Sequence, residues 1–151
     1  MNSPFKILFL CKGNSARSII AEHLIRRIAP HDFESHSAGS EPKPRPHPLA
    51  LKVLSEKYGA DVSNARSKSW EEYRNTKFDF IITLCDKELE PCPDWPGKPI
   101  LASWSMPDPA AVEGTPDRQE RAFWQIAEQI NRRLKMFTSL PAEKLEALSV
   151  G

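Results

Sequence analysis

The chain has little of what would place it in a membrane, outside the cell or on a polyanion. Nowhere in its 151 residues does an apolar run approach the length of a membrane-spanning helix, about 18 residues or more. The segment Met1-Asn2-Ser3-Pro4 carries no charged region ahead of the short apolar stretch, as a secretion signal would. No charge of one sign dominates either: 21 Lys and Arg stand against 20 Asp and Glu, a formal net charge of +1. A global field that draws nucleic acid or anionic lipid is therefore excluded, and any anion must be held locally. Cysteines number three, Cys11, Cys85 and Cys92, an odd and small set for a disulfide framework, with no Cys-x2-Cys pair among them. Internal repeats, long charge runs and low-complexity tracts are missing, one proline-rich stretch excepted. What remains is a single soluble domain over residues 1–151, 40% hydrophobic and large enough to bury a core. It is expected in the cytoplasm, where thiols are more often catalytic or metal-binding than structural.

Hydrophobic patterning then gives the elements. Phe5 to Leu10 is apolar apart from Lys6, which predicts a strand buried on both faces, with Cys11 at its C-terminal end. Ile20, Leu24 and Ile28 recur every fourth residue, a helix stopped near Pro30. Phe33 to Ser37 reads as a weaker strand leading into Ser-Ala-Gly-Ser. The prolines at 42, 44, 46 and 48 then stop both helix and sheet, so that stretch is expected to be a loop, with a polyproline ligand as the minor reading. Leu51, Leu54 and Tyr58 follow at helical spacing. Phe78 to Leu84 and Pro99 to Trp104 read as strands, the first ending in Cys85-Asp86. Phe123, Ile126, Ala127, Ile130, Leu134 and Phe137 mark a core-facing helix with Arg132, Arg133 and Lys135 near its C-terminus. Strands alternating with helices predict an α/β fold, an open and largely parallel sheet covered on both faces, with ligands beyond the C-terminal strand ends.

At one such end stands Cys11-Lys12-Gly13-Asn14-Ser15-Ala16-Arg17-Ser18. A short loop entering a helix turns successive N–H groups inward, and that concavity binds a tetrahedral anion with help from the helix dipole. Gly13 permits close approach, Asn14 tolerates left-handed geometry, and the planar fork of Arg17 grips two anion oxygens where a lysine offers only a point charge. The same field favours the thiolate of Cys11, the nucleophilic form, and Ser18 or Ser15 is placed to donate to it. No Gly-Lys-Ser/Thr follows, which excludes a Walker-type nucleotide loop.

Phe-Leu-Cys-Lys-Gly-Asn-Ser-Ala-Arg-Ser resembles the signature of the low-molecular-weight protein tyrosine phosphatase superfamily. Within it, Thr83-Leu84-Cys85-Asp86, Cys92-Pro93 and Met106-Pro107-Asp108-Pro109 resemble the thioredoxin-coupled arsenate reductases. The likeness runs from about residue 5 to about residue 137 and includes Ser37-Ala38-Gly39 and Ser67-Lys68-Ser69. It implies a three-layer α/β/α fold with a four-stranded parallel sheet, residues 12–18 as the oxyanion loop, Cys11 as nucleophile and Asp108 as general acid. It also implies arsenate as substrate, with phosphate or sulfate competing, and thioredoxin or a related thiol reductant as partner. Reduction to arsenite then serves arsenic detoxification, by a monomer that uses no cofactor and has no nucleic-acid or membrane partner.

The count of thiols separates two activities of that superfamily. Hydrolysis of a phosphomonoester is redox-neutral and needs Cys11, Arg17 and an acid. Reduction of arsenic from five-valent to three-valent takes two electrons, which two thiols supply by forming a disulfide. In the relay that the resemblance implies, Cys85 attacks the Cys11 adduct and releases arsenite, and Cys92 then attacks Cys85. If the seven-residue step from Cys85 to Cys92 were helical, the two would lie about 10 Å apart along the axis. A disulfide needs Cα atoms roughly 4.4 to 6.8 Å apart. Residues 85–97 are therefore expected to rearrange between redox states, the more so with Pro91 and Pro93 present.

A metal is not expected. No histidine neighbours Cys85 or Cys92 in sequence, and His23 reads as structural or solvent-facing. Some related reductases hold potassium through an Asn, a Glu and an Asp; Asn14 and Glu22 match the first two, whereas Ser63 to Lys68 is basic where the Asp would fall, and a lysine there replaces the ion's charge. Position 15 is Ser where many relatives have Cys. Ala110-Ala111-Val112 follows Asp108-Pro109 with no aromatic platform for a phosphotyrosine ring. Two rivals remain, a phosphatase acting through a Cys11 phosphocysteine and a non-catalytic oxyanion sensor.

Overall fold

From Ile7 to Cys11 the first strand, β1 (Phe5–Cys11), is buried without a break, as suits a strand with neighbours on both edges and layers on both faces. It pairs in parallel with β2 (Phe33–Gly39) and with β3 (Phe80–Thr83), and β4 (Ile100–Ser103) adds to β3. The order β2-β1-β3-β4 makes a four-stranded, all-parallel sheet. Helices α1 (Arg17–Ile28), α2 (Pro48–Tyr58) and α3 (Pro116–Thr138) accompany it, with 3-10 turns at Trp70–Tyr73 and Pro109–Ala111. The fold is of the expected α/β class. The computed structural model describes residues 3–85, 99–141 and 143–145. Cys92 and the rearrangement expected after Cys85 lie outside them.

The two faces of the sheet are packed unequally. Ile7 and Phe9 of β1 with Phe80 and Ile82 of β3 share one large core with Ile20 and Leu24 of α1 and Phe123, Ile130 and Leu134 of α3. The alternate residues, Leu8, Leu10 and Ile81, form a smaller cluster with Ala38 and Phe78, against which Trp70 and Tyr73 pack.

Element ends differ from the sequence pattern for local reasons. β2 runs two residues past Ser37, because Ala38 and Gly39 stay in register with Leu10 and Cys11. β3 is shorter than the apolar run 78–84: Phe78 turns into the smaller cluster beside Tyr73 and His36. Leu84 has left the strand, although its N–H still donates to the Leu10 carbonyl at 2.8 Å. α3 starts well before Phe123, at Pro116, capped by Thr115, whose hydroxyl accepts the Arg118 N–H at 3.2 Å. Its first turn is exposed and so carries no apolar signal.

This topology places the chemistry. The chain passes from β1 to β2 on one side and reaches β3 on the other, the reversal of strand order at which such sheets bind ligands, beyond the carboxyl ends of the strands. Cys11 ends β1, and Cys85 follows two residues after β3.

Candidate active site

Residues 11–18 connect β1 to α1. The start of α1 has no side-chain cap and no acidic residue in its first turn, whereas His47 and Thr115 cap α2 and α3. The first N–H groups and the positive end of the helix thus have no side-chain cap, an arrangement that suits an anion. Three loop carbonyls are tied to a neighbouring segment: those of Lys12, Gly13 and Ser15 accept N–H bonds from Glu41, Lys43 and His47 at 2.9, 2.9 and 2.8 Å. Carbonyls held in this way are what a cradle of inward N–H groups requires. The donors belong to the proline-rich stretch, which sequence alone gave only as a loop. The prolines at 42, 44 and 46 have no N–H, and residues between and beside them supply the bonds.

Gly39 closes the contact from the other side. A Cβ there would lie 2.5 Å from the Lys12 carbonyl oxygen and 2.9 Å from both the Cys11 oxygen and the Asn14 nitrogen. Only glycine lets the end of β2 come this close to the loop.

Cys11 lies at the head of a buried polar chain. Cys11 Sγ is 2.8 Å from the Ser18 hydroxyl. Asn14, buried and at φ 45°, donates from Nδ2 to Ser18 Oγ at 2.8 Å and to Ser37 Oγ at 3.0 Å, and its Oδ1 accepts the Lys68 N–H at 2.7 Å. Because Ser18 Oγ accepts from Asn14, its own hydrogen is available to the sulfur. Ser37 in turn donates to Glu22. Lys68 Nζ lies 3.5 Å from Glu22 Oε1 and 3.3 Å from Ser37 Oγ, and the two charged side chains are only 4% and 6% exposed. Burial pushes the Lys68 amine below its ordinary range, opposed chiefly by Glu22. The lysine charge foreseen among residues 63–68 thus stands beside Glu22. Among the described residues no group of three His, Cys, Asp or Glu side chains could hold a metal ion.

Arg17 joins the loop to the rest of the site. Its Nη1 donates to the Leu84 carbonyl at 3.2 Å, just past β3, and to the Met106 carbonyl at 2.9 Å, two residues before Asp108. The guanidinium therefore ties together the strand end that carries Cys85 and the loop that carries Asp108. Cys85 is buried, with its sulfur 3.9 Å from the Leu10 carbonyl. Asp108 is exposed and caps the turn Pro109–Ala111, with Oδ1 accepting the Ala110 N–H at 2.9 Å. His23 is buried on α1 and bonds through Nδ1 to the Ile19 carbonyl, a structural role. Of the remaining loop residues, Ala16 joins the core and Lys12 makes an exposed 3.5 Å pair with Glu41. Roles for Ser37, Lys43 and His47 went unseen in sequence, where the only signals were Ser37-Ala38-Gly39 after a strand and the residues alternating with proline.

Comparison with known proteins places this geometry. Residues 6–147 match the family model described as low molecular weight phosphotyrosine protein phosphatase. A curated relative from Halalkalibacterium halodurans, an arsenate reductase, is 33% identical over 131 residues, 87% of this chain and 93% of its own. A solved structure of an arsenate reductase in the phosphate-binding state superposes with a TM-score of 0.73 at 28% identity, covering 88% of this chain and 95% of that one. The thioredoxin-dependent arsenate reductase of Corynebacterium glutamicum gives a TM-score of 0.69 at 29% identity; 97% of this chain is covered, and 64% of that longer one. The chain therefore belongs to the low-molecular-weight phosphotyrosine protein phosphatase family, and within it groups with the arsenate reductases.

Proposed function

We propose that this arsenate reductase passes a disulfide through its three cysteines and is regenerated by thioredoxin or a related dithiol. Arsenate sits in the loop of residues 12–18, held by backbone N–H groups and Arg17. The Cys11 thiolate attacks arsenic while Asp108 protonates the departing oxygen, which leaves as water. Cys85 then attacks the Cys11 sulfur: the sulfur–sulfur bond forms, the electron pair of the sulfur–arsenic bond stays on arsenic, and three-valent arsenite departs. Cys92 attacks Cys85, freeing Cys11, and the external dithiol reduces the Cys85–Cys92 bond.

One observation carries the reading. Cys11, with a hydroxyl 2.8 Å from its sulfur, has a second buried thiol, Cys85, at the neighbouring strand end. Hydrolysis would use one of them, whereas a two-electron reduction needs both. Dependence on thioredoxin draws support from the Corynebacterium neighbour. Work as a cytoplasmic monomer is part of the same proposal; no described helix is long and apolar enough to cross a membrane.

The test is turnover of arsenate with a thioredoxin system by Cys85→Ser and Cys92→Ser variants. Both should lose multiple turnover, and parental rates in both would remove the relay. Phosphomonoester hydrolysis is the second reading, favoured by a loop, an arginine and an acid that serve it equally. Ala110 and Ala111 after Asp108 are exposed and offer no ring to a phenyl ester. Hydrolysis of p-nitrophenyl phosphate should accordingly be slow, and rapid hydrolysis with arsenate untouched would establish the phosphatase instead.

A further inference from the structure

Gly13 does not owe its place to its backbone angle, which lies outside the left-handed region that glycine favours. What its missing side chain leaves room for is Lys43. A Cβ on Gly13 would lie 3.2 Å from Lys43 Cγ and 3.5 Å from Lys43 Cε, with Ser15 Oγ 3.5 Å from the same point. The stem of Lys43 therefore runs along the rim of the anion loop, and its ammonium, one bond beyond Cε, stands at the loop's edge. The backbone holds it there. The Lys43 N–H donates to the Gly13 carbonyl at 2.9 Å, and Pro42 and Pro44 on either side stiffen the chain.

The balance of charge at the loop calls for a further cation. A phosphate-like oxyanion carries roughly −1.5 to −2 at neutral pH, and the attacking Cys11 thiolate adds another negative charge. Against them stand the Arg17 guanidinium and the N-terminus of α1, the latter equivalent to about half a positive charge. Lys12 lies 3.5 Å from Glu41 and Lys68 lies 3.5 Å from Glu22, so each has its counter-charge within the protein. Lys43 is exposed and has no ion pair or side-chain hydrogen bond among the described residues. A tetrahedral anion seated on the loop N–H groups turns an oxygen outward, where an ammonium at the rim can meet it.

We propose that Lys43 is a second substrate-binding cation, its ammonium pairing with the outward oxygen of the oxyanion held by residues 12–18. It serves capture and not bond making: no proton or electron passes through it. The proposal deepens the reading of residues 12–18 as the oxyanion loop and rests on it.

Three substitutions and one salt series test it, with inorganic phosphate as the probe and its affinity read from protection against thermal unfolding. Lys43→Met keeps the N–H that bonds Gly13 and an apolar stem, so its loss is that of the charge. The midpoint without phosphate should hold, while phosphate binds about fivefold more weakly, in keeping with one exposed charge-assisted contact. The half-saturating arsenate concentration for thiol loss should rise by the same factor. Lys43→Arg keeps the charge and should recover most of the affinity. Arg45→Met removes an equal charge from the same exposed segment and should weaken phosphate far less. The gap between the parent and Lys43→Met should narrow as potassium chloride is raised, because an exposed cation is screened. Parental phosphate affinity in Lys43→Met, or a loss no larger than that of Arg45→Met, would overturn the proposal alone. A parent that phosphate does not protect at all would remove the reading of the loop, and the role of Lys43 with it.

Discussion

Asn14 makes three side-chain bonds from a buried, positive-φ position, and through Ser18 it reaches the Cys11 sulfur. Asn14→Ala leaves Ser37 and the Lys68 N–H short of partners and places alanine where L residues are strained, so denaturant unfolding should show a loss of about 2 to 4 kcal/mol. Lys68 and Glu22 behave differently: Glu22 is the charge partner of the buried Lys68 amine, and Glu22 also pairs with Arg26 at 2.6 Å. Glu22→Gln takes the opposite charge from Lys68 and should cost about 3 to 5 kcal/mol, whereas Glu22→Gln with Lys68→Met should cost much less, since no buried charge is then left uncompensated. Equal losses in the single and double variants would show that the pair does not act as a unit. Cys11, Gly13 and Arg17 were legible in sequence because they lie within seven residues and their chemistry is local. Ser37 and Gly39 do their work across the sheet, where only the pairing of β2 with β1 brings them to the loop.

The proline-rich segment shows how an element can be read correctly as irregular and still be missed as functional. Its prolines stop regular structure, as the sequence indicates, yet the residues between and beside them hold the carbonyls of the anion loop. Lys43→Pro deletes the N–H that bonds Gly13 and should weaken phosphate binding several-fold, in line with about 1 kcal/mol for one hydrogen bond, read from protection against thermal unfolding. Unchanged binding would free the clamp of its role. Gly39→Ala should do more harm, because the obstruction is backbone on the opposing loop; a loss of about 1 to 3 kcal/mol is expected in chemical denaturation, together with weaker phosphate binding. The long apolar stripe of α3 was plain in the sequence, while its exposed first turn was marked only by Thr115-Pro116, a capping residue and a proline at the first helical position. β3 was overestimated because Phe78 is as apolar as a strand residue but packs on the side of the sheet beside Tyr73.

For the molecule as a whole, near-zero net charge and three thiols combine into one expectation. In the proposed relay, anion capture rests on a single loop, and the chemistry after capture rests on moving a disulfide away from it. The alternation of strands and helices made the parallel sheet legible, and the position of Cys11 and Cys85 at adjacent strand ends follows from the order β2-β1-β3-β4, which the sequence alone does not give. The most direct measurement incubates the fully reduced protein with excess arsenate and no external reductant, then counts free thiols and arsenite in the same quenched sample. One arsenite per chain and a fall from three free thiols to one are expected, with the bond mapped between Cys85 and Cys92. Arsenite formed with no loss of thiols, or with the bond mapped elsewhere, would contradict the relay.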